Sequence, residues 1–148
     1  MAKPNWEDTR LKLIDTYKWM NNELRPKGED VLAAEHGGES IKSVVRQMKD
    51  SELLFAKALT QSLTGEILGD EGSDEPPVIG NEAARETGAI LISQFGSARA
   101  TTLNTMQAAD DEAWDRPLQG SKKMLDLANE LVESDRVHLE KLRRMVGA

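Results

Sequence analysis

Apolar residues recur at the spacing of a helix in four separate segments of this chain, and nowhere do they alternate every second residue over a sustained run. That pattern predicts an all-α fold. The first helix is expected from about Asn5, an N-cap after Pro4, to Leu24, with Trp6, Leu13, Ile14, Tyr17 and Leu24 on one face. The second opens at Ser40 after Gly37 and Gly38 and carries Ile41, Val44, Val45, Met48, Phe55 and Leu59 inward until Leu63, where Gly65 ends it. The third is expected from Asn81 to Ala108 through Ala84, Gly88, Leu91, Ile92, Phe95, Thr102 and Met106, its small residues permitting close packing. The fourth is expected from a Ser121 cap to Met145. Four such helices favour a four-helix bundle, and the polar connection Gly69–Pro77, long for a tight hairpin between helices, favours a crossover between helices 2 and 3. The connector Asp110–Leu118 holds Trp114, a large aromatic expected to plug one end. No internal repeat or sustained heptad pattern is visible.

At 148 residues the chain suffices for one substantial core, so residues 1–148 are expected to form a single domain. Its formal charge of −7 opposes binding to nucleic acid or an anionic membrane, because such surfaces need clustered cations to displace counterions. With no cysteine, any thiol chemistry would require a thiol from outside. The N-terminal residues lack the apolar core of a signal peptide, and no apolar run approaches the roughly 18 residues of a membrane span, so the expected compartment is the cytoplasm.

Polar residues that periodicity turns inward are the candidates for function. At about 100° per residue, His138 falls on the same stripe of the last helix as Met124, Leu127, Leu131, Leu142 and Met145, with Ser134 and Asp135 beside it. It is either a hydrogen-bonded core residue or part of a functional cluster. Glu52 lies near the Met48 axis, Gln47 sits at the edge of the apolar arc, and Arg99 falls on the line joining Phe95 and Met106. The plain readings are an ion pair between Arg99 and Glu52 or Asp135, a solvent-facing Gln47, a Ser134 hydroxyl bonded back to its own helix, and an Asp135 that holds His138 in one tautomer. Together the six make a candidate polar pocket. His36 reads as a turn residue, and the basic group Lys141, Arg143 and Arg144 complements the negative end of its helix.

Ser40–Glu52 (SIKSVVRQMKDSE) resembles the second-helix signature of the DinB-like (DNA-damage-inducible) proteins. Ser97–Leu103 followed by Asp111–Leu118 is similar to that family's third helix and turn, and His138–Leu142 is similar to its closing motif. The resemblance covers nearly the whole chain in order and helix length. It implies a four-helix bundle, often a homodimer, with a nickel or zinc ion held by three histidines, one on helix 2 and two spaced by four on helix 4. The matching positions here are Gln47, Ser134 and His138, so only the last keeps its ligand. An amide oxygen and a hydroxyl are poor replacements for imidazole at such ions, and the usual metal site is expected to be absent, with no cofactor in its place.

The favoured reading is therefore a DinB-like protein without its ordinary metal, acting as a small-molecule binding or protective module with His138, Gln47 and Arg99 as recognition groups. A second is a metal-dependent S-transferase or isomerase that uses a low-molecular-weight thiol of the mycothiol or bacillithiol type. A third is a dimeric interaction protein without catalysis. The sequence leaves open whether the chain is an enzyme.

Overall fold

The computed structural model describes residues 3–65 and 86–147. They are mostly helical, and the only strands among them form one short hairpin. Helix α1 spans Glu7–Glu23 and α2 spans Glu29–Ala33. The hairpin pairs β1 (Glu35–His36) with β2 (Glu39–Ser40), and then come α3 (Ile41–Thr64), α4 (Gly88–Ala108), α5 (Asp111–Asp115) and α6 (Met124–Gly147). Among the described residues no helix is long and apolar enough to cross a membrane. The Gly69–Pro77 connection and the helical turns expected from Asn81 fall on residues 66–85, outside the described residues.

Helix α3 begins and ends where its sequence directs. Ser40 Oγ accepts the Ser43 amide at 2.9 Å while Ser43 Oγ accepts the Ser40 amide at 2.9 Å, a reciprocal capping box. Gly65 then takes φ 75°, a left-handed conformation that costs a glycine little, and its N–H closes on Gln61 O at 2.8 Å. The same freedom at Gly37 and Gly38, with φ 65° and 91°, makes the two-residue turn of the hairpin that places His36 in a strand.

Two expected caps are displaced. The cap position of α1 is Trp6, not Asn5. The indole is buried against Trp114 with ring centroids 5.0 Å apart, and Asn5 Oδ1 still accepts the Glu7 amide at 3.1 Å. Ser121 does not cap α6, because Gly120 at φ 60° closes a tight turn in which Gln119 bridges to Lys122. The helix starts at Met124, with the Lys123 amide donating to Asp126 Oδ2 at 2.9 Å. Helix α4 takes its cap from Thr87, whose Oγ1 accepts the Ile90 amide at 3.2 Å.

Contacts across the ends define how the long helices run. Glu29 receives both Lys42 Nζ at 2.8 Å and the Gly88 amide at 2.7 Å, which brings the starts of α3 and α4 together. Arg116, just beyond α5, donates to the carbonyls of Ser62 and Leu63 at 3.3 and 3.2 Å, which brings their ends together. The two helices therefore run side by side in the same direction. Gly65 and Gly88 consequently sit at opposite ends of the pair. Helices α1 and α6 also run together, as Thr9 meets Asn129, Thr16 meets Asp135, and Arg143 lies over the Trp19 ring. Helix α4 packs on both α3 and α1, and α6 packs on both α1 and α3. The α1–α4 approach depends on Gly96, where a Cβ would overlap the Tyr17 ring.

The core divides into two apolar clusters. One holds Met20, Met48, Phe95 and Leu142 with their neighbours, and the other holds Leu13, Leu59, Met106 and Leu127 with Trp6 and Trp114. Trp114 fills its end as expected, its Nε1–H donating to Met106 O at 3.1 Å. On each long helix one polar residue separates the two clusters: Thr16 on α1, Glu52 on α3, Arg99 on α4 and Asp135 on α6. All four are buried.

Candidate functional site

Each of those four residues follows from helical spacing: Thr16 lies three past Leu13, Glu52 four past Met48, Arg99 four past Phe95, and Asp135 four past Leu131. The spacing delivers them to one level, where they form a single network. Arg99 is 2% exposed, Glu52 2% and Asp135 6%. Arg99 Nε–H and Nη2–H donate to the two oxygens of Glu52, both at 3.0 Å. Nη1–H and Nη2–H donate to the two oxygens of Asp135 at 2.8 and 2.9 Å, and the second Nη1–H reaches Leu13 O at 2.9 Å. A guanidinium has five N–H donors, and all five are used. Periodicity predicts a pairing with Glu52 or Asp135, and the arginine takes both in bidentate fashion.

Thr16 Oγ1–H donates to Asp135 Oδ2 at 2.6 Å and completes the set from α1. Burial works against the Arg99 charge, but the hydrogen bond to Asp135 and the field of Glu52 outweigh it and hold the guanidinium pKa above its ordinary value. Its Cζ lies over the Phe95 ring, 4.9 Å from the centroid.

Above the network is a cavity of about 160 Å³ between α3 and α6, with part of its wall from α4. Glu52, Arg99 and Asp135 form its floor, and Met48, Phe55, Phe95 and Leu131 its apolar sides. Ser51, Ser134 and His138 stand at the mouth, where the two serines are exposed and His138 is half-buried. His138 is thus the hinge between solvent and the buried charges, and not a member of the dry core.

Its Nδ1 lies 2.9 Å from Ser134 O and 3.5 Å from Ser134 Oγ. A carbonyl can only accept, so Nδ1 carries the hydrogen, and the lone pair of the neutral ring is on Nε2. Nε2 has no hydrogen-bonding partner among the described residues. The tautomer is set by the Ser134 carbonyl, not by Asp135, which is turned to Arg99 and Thr16. The Ser134 hydroxyl in turn faces the imidazole instead of bonding back to a carbonyl.

Five of the six candidate residues meet at this cavity. Gln47 does not: it is exposed on α3 and contributes nothing to the lining. One turn further along, Ser51 takes the α3 position at the mouth. Ser51 and Thr16 were the residues missed, and the signal for both was a small hydroxyl falling within an apolar stripe. His36 lies exposed in the hairpin, away from the site.

The donor set does not fit the implied nickel or zinc ion. Glu52 and Asp135 are committed to Arg99, Gln47 is outside the cavity, and a single imidazole with a serine hydroxyl is a weak pair of ligands. Among the described residues no three of His, Asp and Glu converge as a metal-holding group.

A larger concavity of about 570 Å³ lies between α3 and α4, lined by exposed Leu53 and Ile90 and by Ser93, Ser97 and Thr101. The two cations that line it are held by neighbours: Arg25 is bonded to Asn21, Ala89 O and Ser93, and Lys49 pairs with Asp50 at 3.3 Å. Compared with protein-family models, with curated proteins and with solved structures, the chain matches none.

Proposed function

We propose that this chain is a four-helix bundle of the DinB-like type that does without the three-histidine metal site and uses the cavity between α3 and α6 to bind a small molecule. The observation that carries the reading is the cavity itself. It joins a solvent-accessible imidazole, with one ring nitrogen free, to a fully hydrogen-bonded ionic floor and apolar walls. Binding sites commonly combine an apolar concavity with a few convergent polar groups. What supports the family assignment is the shared direction of α3 and α4, which a crossover connection requires, together with the sequence motifs. The thiol-transferase reading needs three imidazoles about one ion, and the exposed position of Gln47 weighs against it.

The test is a fragment screen by NMR on the full chain, following the His138 ring resonances. Fragments that shift those resonances in the parent and fail to do so in Ser134→Trp, which fills the mouth from an exposed position, support the reading. A diverse screen with no such fragment at millimolar concentration rejects it. A second reading, self-association into a homodimer, rests on the exposed Leu53 and Ile90 of the α3–α4 face. Sedimentation across a concentration series, in the parent and in Leu53→Ser, decides it.

A further inference from the structure

We propose that the occupant of the α3–α6 cavity is a small primary ammonium ion with a short apolar tail. This rests on the small-molecule reading above and narrows it to one chemical class. The argument begins with charge. Both oxygens of Glu52 and both of Asp135 accept N–H groups from Arg99, the bidentate geometry of two carboxylates about one guanidinium. One positive and two negative groups leave the floor with a net charge of −1. The apolar clusters above and below carry no charge, and the cations on the far side of Asp135, Lys12, Arg136 and Arg143, line a separate surface concavity and not this cavity.

Donors and acceptors point the same way. Every N–H of Arg99 is spent, and the Nδ1–H of His138 is spent on the Ser134 carbonyl. An anion entering the cavity would find the arginine with no hydrogen to give it and only the two serine hydroxyls at the mouth. A donor finds His138 Nε2, the unused lone pairs of Glu52, and the oxygens of Ser51 and Ser134. A primary ammonium has three N–H donors and a charge of opposite sign to the floor. Its alkyl part suits the walls made by Met48, Phe55 and Leu131.

Size restricts the tail. At about 160 Å³ the cavity is well below the roughly 300 to 1,000 Å³ of pockets that hold drug-sized ligands, so only a short tail fits inside it. Larger amines would have to leave their tails in the mouth between Ser51 and Ser134.

The experiment compares n-butylammonium, butan-1-ol and butanoate on the full chain at physiological ionic strength, following the His138 ring resonances by NMR. Butylammonium is expected to bind roughly tenfold or more tightly than butanol, with butanoate weakest. In Glu52→Gln the floor loses its net charge, and the preference for butylammonium over butanol should disappear. Because that change also removes a partner of Arg99, Ser134→Trp provides a separate check at an exposed position. Loss of the butylammonium shifts there places the ammonium in the cavity. Unchanged binding there would mean that the ion only coats an acidic surface, and would overturn the proposal. Equal binding of the alcohol, or tighter binding of butanoate, would overturn the charge argument while leaving a small-molecule site in place. If none of the three probes shifts His138 but a chemically different fragment from the wider screen does, the ammonium assignment alone fails.

Discussion

Helix α3 has a concavity on each flank, and the two differ in kind. The one facing α4 is the larger, yet its polar groups are exposed hydroxyls, the amide of Gln94 and two cations, Arg25 and Lys49, already held by their neighbours. The one facing α6 is small, and its floor holds three ionised side chains that are almost wholly removed from water. Volume alone reports only that two helices leave a gap. Burying charge is costly unless each group is paired and hydrogen-bonded, so a fully satisfied ionic layer is the more specific sign of a constructed site.

That contrast can be broken by mutation. Arg99→Met should have the largest effect, a loss of about 3 to 5 kcal/mol in urea unfolding, because it strands two buried carboxylates. Leu53→Ser, in the larger concavity, should stay within about 0.5 kcal/mol. Comparable losses from the two would erase the distinction. Thr16→Val tests whether the layer extends to α1. Removing a hydrogen bond to a charged acceptor should cost about 1.5 to 3 kcal/mol, and a neutral result would detach Thr16 from the network.

A gain of metal affinity sharpens the placement of the mouth. Ser51→His with Ser134→His would set three imidazoles around the cavity with His138, whereas Gln47→His with Ser134→His would leave one of them outside. Calorimetric zinc titration should show the first pair binding roughly tenfold more tightly, about 1.4 kcal/mol. The reverse order would support the ligand position implied by the family resemblance over the lining seen here.

Much of this was legible from spacing. The Ser40 cap and Gly65 stop of α3 are local chemistry, and Glu52, Arg99 and Asp135 turn inward because a helix repeats regularly. What spacing could not supply was partnership. Arg99 takes both carboxylates because α3 and α6 flank α4's arginine from different sides, a fact of tertiary packing. Gln47 lies only one position from Met48, but one position is about 100° of rotation and carries it from core to solvent. Ser121 has the right chemistry for a cap, but the Gly120 turn closes ahead of it. Thr16 and Ser51 were obscured because a hydroxyl interrupting an apolar stripe has no unique reading until its neighbour is known.

The level placement of Thr16, Glu52, Arg99 and Asp135 also bears on how the helices choose their axial alignment. Apolar stripes repeat nearly every turn, so sliding one helix by about 5.4 Å would exchange one set of aliphatic contacts for another of similar worth. The ionic layer occurs only once along each helix. A one-turn slip of α4 would move the guanidinium away from its two carboxylates and leave three charges without partners. Hydrophobic contact brings these helices together; the single arginine acts as a vernier that distinguishes one register from its neighbours.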